Sequence, residues 1–248
     1  MSGRVAVITG AGSGIGRETS LTFARKGDSV VVADIDEEKG LETVELIKQE
    51  GGDAVFAKTD VSKFEEVESL VNQAVEIYGT IDVMFNNAGI GTLGHILSMK
   101  IEDYLRVIDV NQHGVAYGII AAGRKMRELD VKGVIINTAS VFGYLANFGT
   151  FPYQAAKGAV RMMTQNAALE LAQYGIRVVG IAPGCVDTPI IQAYKDAGMT
   201  QKMTEQQMRK KLIRPEAIAN AVYLLTLEEA DAINGSVVML DDGYASFK

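Results

Sequence analysis

Cysteine is almost absent from this chain. Cys185 is the only one, so no intrachain disulfide can form and no multi-cysteine metal centre can be built. It reads as a small buried or half-buried side chain. Histidine is nearly as scarce: His95 and His113 are too few for a histidine-rich metal site, and both read as structural or surface residues. No apolar run is long enough to span a bilayer. Positive charge is in deficit, with Lys+Arg 24 against Asp+Glu 31 and a net charge of −7. That sign argues against electrostatic binding to nucleic acid or to an anionic membrane. The first β-rich run begins by about Arg4, so no signal peptide is expected ahead of it, and a cytoplasmic protein is the expectation.

What is present points to a packed globule. Hydrophobic residues make up 48% and charged residues 22% of 248 positions, enough apolar surface to build a core. Short β-branched runs occur at Val5–Thr9, Ser29–Ala33, Ala54–Ala57, Val83–Phe85, Gly133–Asn137, Ile176–Ile181 and Val237–Leu240. Helical patterns lie between them, including a long one from near Ile101 to Arg127, and Pro215 opens another. There is no internal repeat and no low-complexity linker. Regular alternation of this kind predicts one α/β domain over residues 1–248, a doubly wound parallel sheet of about seven strands flanked by helices. The one long irregular stretch in this reading runs from Pro183 to Arg214 and mixes Ile190, Ile191, Tyr194, Met199 and Met203 with charges. It comes after a strand's carboxyl end, where ligands bind in open α/β sheets, and a substrate lid over about 187–213 is expected.

The chemistry concentrates in three places. Gly10, Gly14 and Gly16 come after the first strand and open a helix, so a pyrophosphate could approach the backbone and meet the helix N-terminus. Asp34 closes the second strand, where a carboxylate accepts hydrogen bonds from ribose hydroxyls and repels a 2′-phosphate. Asp60, with Val61, ends the third strand and is placed to touch an adenine. Pro152 suits the first turn of a helix, which puts Tyr153 and Lys157 one turn apart on one face. A phenol beside an ammonium is a proton donor whose anion the neighbouring charge stabilises.

Thr9-Gly10-Ala11-Gly12-Ser13-Gly14-Ile15-Gly16, Asn86-Asn87-Ala88-Gly89, Asn111, Ser140, Tyr153, Lys157 and Pro183-Gly184 together resemble the short-chain dehydrogenase/reductase family, in order and spacing over essentially the whole chain. The resemblance implies a single-domain Rossmann fold. It implies that Tyr153 exchanges a proton with the substrate oxygen, that Lys157 lowers the tyrosine's pKa and binds the nicotinamide ribose, and that Ser140 steadies the carbonyl or alkoxide oxygen. Asn111 would hold a water linking Lys157 to solvent. Around the cofactor, the resemblance implies roles for Gly10, Ser13, Gly14, Ile15 and Gly16, for Asn86, Asn87, Ala88 and Gly89, for Pro183, Gly184 and Val186, and for Thr188 at the carboxamide. Two departures stand out: Asp242 replaces a glycine of the usual Asp-Gly-Gly ending, and Phe142 is bulkier than the small residue often found there.

The reading that results is an NAD-dependent oxidoreductase acting on a neutral secondary alcohol or ketone, such as a small diol, a cyclic alcohol or a steroid-like ketone. Val141, Phe142, Leu145, Phe148, Ile190, Ile191 and Tyr194 are the candidate pocket residues, with no lysine or arginine among them to grip an acid. An NADPH-dependent carbonyl or lipid reductase and a non-catalytic dinucleotide sensor are the alternatives. The helices near 101–127 and 153–172 carry apolar positions on more than one face, so burial on both is expected; the family resemblance implies that they pair in a homo-oligomer, a tetramer or a dimer.

Overall fold

The computed structural model describes residues 3–196 and 198–246. Seven strands form one sheet in the order β3-β2-β1-β4-β5-β6-β7, and every pair is parallel. The strands are β1 (Val5–Thr9), β2 (Ser29–Asp34), β3 (Ala54–Lys58), β4 (Val83–Asn86), β5 (Val134–Thr138), β6 (Arg177–Pro183) and β7 (Val237–Leu240). The helices are α1 (Gly14–Arg25), α2 (Glu37–Gln49), α3 (Phe64–Tyr78), α4 (Ile101–Ile108), α5 (Gly114–Glu128), α6 (Phe151–Leu171), α7 (Gln192–Asp196), α8 (Thr200–Thr204) and α9 (Pro215–Leu225).

Alternation along each strand feeds two separate cores. Val5 and Val7 point to the face covered by α3, α5 and α6, with Leu70, Ile119 and Val160. Ala6 and Ile8 point to the face covered by α1, α2 and α9, with Phe23, Ile47 and Val222. Burial on both faces is why these strands read as continuous apolar runs. Strand order reverses between β1 and β4, which opens a crevice at the sheet's carboxyl edge.

Two expectations need correction. The long helix of residues 101–127 is interrupted by a π turn, Asp109–His113, between α4 and α5. Nor is 183–214 the one long irregular stretch: α7 and α8 lie within it, with residue 197 outside the described residues, whereas residues 87–100 hold only the short 3₁₀ turn Ile96–Ser98. The apolar residues of that second stretch mimic a structured pattern, yet Leu93, Ile96 and Leu97 are exposed.

Candidate active site

The glycine turn after β1 is held by contacts that admit no side chain. Gly10 has φ +64, and a Cβ there would sit 2.8 Å from the Ala88 Cα. A Cβ on Gly16 would lie 2.1 Å from the Gly10 carbonyl oxygen, so α1 packs against the turn only because residue 16 is glycine. Ser13 is the N-cap of α1, with extended backbone and no side-chain cap bond, and no acidic residue occupies the first turn. The uncapped, unneutralised helix end suits an anionic group.

β4 is stitched to this turn by Thr9 and Asn87. The Thr9 hydroxyl accepts from the Asn87 and Ala88 N–H groups at 3.0 and 3.2 Å, and Asn87 Nδ2 donates to the Thr9 carbonyl at 3.0 Å. Thr9 belongs to the sequence pattern, but its task emerges only with β1 and β4 as neighbours. Asp34 stands at the end of β2, its Oδ2 accepting from the Gly12 N–H at 2.8 Å and its Oδ1 from the Asp36 N–H at 2.9 Å. Arg17, the nearest cation after the glycines, donates to the Gly12 carbonyl at 2.7 Å and pairs with Glu42 at 2.5 Å. Asp60 accepts from both the N–H and the hydroxyl of Ser62. Burial raises its carboxyl, but those hydrogen bonds and Lys63 hold it below the usual range. Val61 is buried against Gly114, where a Cβ would come within 2.9 Å of the valine, and so it seats the start of α5.

Pro183 ends β6, and the chain just beyond it is tied down at several points. The Gly184 N–H donates to the Leu240 carbonyl at 3.1 Å. Val186 bridges to Ile213. Thr188 is buried beside Gly14, where a Cβ would meet its methyl group at 3.1 Å. Gln207, which sequence reasoning passed over, accepts from the Cys185 N–H at 2.7 Å and is itself buried. A glutamine in a polar stretch carries no signal of its own; only the fold brings it to β6.

Pro152 lies in the first turn of α6, with Tyr153 and Lys157 one turn apart after it. Lys157 Nζ sits 5.6 Å from the Tyr153 ring centroid. It is buried and donates to the Thr138 carbonyl at 2.7 Å. Among the described residues no carboxylate pairs with it within ion-pair distance, and burial pushes it down to about 8. Ser140 Oγ accepts from the Phe142 N–H at 3.2 Å in the turn after β5. Gly143 lets that turn lie on α6, since a Cβ there would be 2.7 Å from the Lys157 carbonyl oxygen. Burial pushes the Tyr153 phenol above its ordinary range, while a hydrogen bond with Ser140 pulls the other way. The expected lowering by Lys157, whose Nζ is directed at the Thr138 carbonyl, is not found.

Asn111 lies in the π turn, fully buried, and its two polar ends are engaged by one residue. Its Oδ1 accepts from the Ile90 N–H at 2.8 Å and its Nδ2 donates to the Ile90 carbonyl at 2.8 Å. The side chain thus clamps the segment after Gly89. Of the candidate pocket residues, Val141 and Ile191 are buried, Phe142 and Leu145 pack on a small cluster with Cys185 and Tyr244, and Phe148 is 78% exposed. Among the described residues no group of three or more His, Cys, Asp or Glu side chains could hold a metal ion, and no helix is long and apolar enough to cross a membrane.

The glycine turn and the capless helix end of α1 fit the phosphates of a dinucleotide. The short chain dehydrogenase family matches residues 4–198. Glucose 1-dehydrogenase 2 of Bacillus subtilis is 37% identical over 98% of this chain and 95% of its own length. Cyclohexanol dehydrogenase of an Acinetobacter species is 38% identical over 98% of this chain and 95% of its own. Among solved structures, levodione reductase superposes with a TM-score of 0.93 at 32% identity, covering 99% of this chain and 98% of that one. The chain is an oxidoreductase that belongs to the short-chain dehydrogenase/reductase family.

Proposed function

We propose that this protein is an NAD-dependent dehydrogenase of neutral secondary alcohols, run in reverse as a ketone reductase. The observation that carries the reading is the Tyr153 phenol, buried near Ser140 and set one turn from a buried Lys157 with no counter-ion among the described residues. The nicotinamide, when bound, accepts or supplies the hydride. Tyr153 donates the proton to, or takes it from, the substrate oxygen. Ser140 stabilises the charge that develops on that oxygen. Lys157 holds the nicotinamide ribose and, when charged, favours the phenolate. Asn111 is a positioning residue that keeps Gly89 and Ile90 against the cofactor edge.

Preference for NAD over NADP is supported by Asp34, and by Arg17 being engaged with Gly12 and Glu42 rather than turned toward a 2′-phosphate. A neutral substrate is supported by the apolar cluster of Val141, Phe142, Leu145 and Cys185 beside Ser140. Relatives named for cyclohexanol and cyclopentanol favour a cyclic alcohol. The stretch 187–213 serves as the substrate lid, tied by Gln207 and Ile213 to Cys185 and Val186 just past β6. NADH formation from a panel of cyclic and acyclic secondary alcohols, with NADP run in parallel, tests the reading. Turnover of NAD with at least one cyclic alcohol is expected; cofactor binding without turnover on any alcohol or ketone would favour a dinucleotide sensor.

A further inference from the structure

The family's ending is altered here at Asp242, and the structure gives that carboxylate a partner. Asp242 has φ +51, a left-handed conformation that costs an ordinary side chain but suits glycine and is tolerated by aspartate. Its Oδ1 accepts from Arg209 Nε at 2.7 Å, and its Oδ2 accepts from the Arg209 backbone N–H at 2.9 Å. Its carbonyl takes the Met208 N–H at 2.9 Å. Three bonds thus join the turn after β7 to the return limb of residues 205–213. Neighbouring Asp241 folds the same turn, accepting from the Gly243 and Ala245 N–H groups at 3.0 and 2.8 Å.

What the turn delivers is Tyr244. It is buried to 7% exposure, clusters with Val141 and Cys185, and meets Phe142 edge-on with centroids 6.0 Å apart. Phe142 is the residue whose N–H fixes Ser140 Oγ. The second departure, the bulky Phe142, therefore packs against the segment that the first departure holds in place.

We propose that Asp242 and Arg209 form a latch that seats Tyr244 on Phe142 as a wall of the substrate pocket, so that the pair sets the size of alcohol this site accepts. The wall's part in selectivity rests on the dehydrogenase reading; the latch itself does not. Burial alone would raise the Asp242 carboxyl, yet its backbone and side-chain bonds to Arg209 hold it below the usual aspartate range, so the latch is charged at neutral pH. The Asp242 side chain is 9% exposed and that of Arg209 66%, which places the arginine within reach of substitution without disturbing the core.

The chain's only cysteine supplies a readout independent of activity, because Cys185 is buried in the same cluster as Tyr244. Asp242→Gly removes the carboxylate while keeping a residue suited to the left-handed turn, and Arg209→Ala removes the exposed partner. In the full-length protein, both should make Cys185 react roughly tenfold faster with Ellman's reagent, as local opening becomes more populated. Asp242→Asn, which tolerates positive φ but keeps only one acceptor oxygen and no charge, should fall between the parent and Asp242→Gly. Both unlatched variants should also shift kcat/KM about fivefold toward 2-decalol over cyclohexanol, chiefly through KM, with NADH affinity unchanged. Parental thiol rates in both Asp242→Gly and Arg209→Ala would overturn the latch. Faster thiol reaction with an unchanged alcohol ratio would overturn the wall. Failure of the parent protein to oxidise any alcohol would count against the dehydrogenase reading, and the thiol rates would still decide the latch.

Discussion

Tyr153 and Lys157 share one turn of α6, yet burial drives them in opposite directions: the phenol up, the ammonium down to about 8. Both shifts favour the neutral form, as expected where water is excluded. Tyr153 is therefore protonated at neutral pH and ready to donate. Tyr153→Phe preserves the ring and removes the proton, so kcat should fall by about 10²–10⁴ while NADH binding, followed by fluorescence, changes little. Ser140→Ala should lower kcat by about 10²–10³ through lost charge stabilisation. Ketone reduction should decline with rising pH and alcohol oxidation should gain, because the first needs the phenol protonated and the second needs it ionised; pH profiles of kcat in both directions check this.

Lys157 also makes a stability prediction. Its folded pKa lies below the ordinary lysine value of 10.5, so between about 8 and 10.5 the unfolded chain binds more protons than the folded one. Stability of the cofactor-free protein should then rise with pH across that window, and below it the buried charge is a burden of roughly 3 kcal/mol at most. Lys157→Met should melt no lower than the parent at pH 7, lose NADH affinity, and lose its relative advantage by pH 10. A relative advantage that grows with pH in calorimetry would contradict the assignment.

The glycine turn, α1 and the end of β2 act together as an element. Gly16→Ala forces a methyl to within 2.1 Å of the Gly10 carbonyl, backbone against helix, with no flexible side chain to yield. The expected result is a loss of about 1–3 kcal/mol in stability, with weaker NADH binding measured by titration. Asp34→Ala removes the carboxylate that would oppose a 2′-phosphate, and the ratio of kcat/KM for NAD over NADP should narrow by about 5–150-fold. These elements are legible from residues alone because each depends on local geometry: a strand, three glycines, a helix, a strand-end aspartate. The π turn is not legible in that way. Residues 101–127 carry an unbroken helical pattern, and the clamp of Asn111 on Ile90 joins segments distant in the chain. Gln207 and Gly143 escape a sequence reading for the same reason.

Across the whole molecule, apolar surface remains where α4, α5 and α6 turn away from the sheet. Val107, Val115 and Ile119 are buried, but Leu105 is 49%, Ile120 41%, Met162 56% and Leu169 79% exposed. The helices are thus apolar on an outer face as well, which supports self-association. Light scattering at micromolar concentration should give a multiple of 26.6 kDa. Met162→Glu with Leu169→Glu should shift the population toward the monomer, since two carboxylates would be desolvated on association.

Alternating apolar runs and helical patterns determined the parallel sheet, and the glycine turn, Ser140, Tyr153 and Lys157 determined the family, because strand burial and phosphate cradling impose their pattern within a few consecutive residues. The tertiary structure decided the rest. Whether the phenol's pKa rises or falls depends on burial and on where Lys157 Nζ points, and it points at the Thr138 carbonyl. The meaning of Asp242 depends on Arg209, 33 residues away in the chain. Desolvation and long-range pairing are properties of the assembled neighbourhood, and no window of sequence contains both partners.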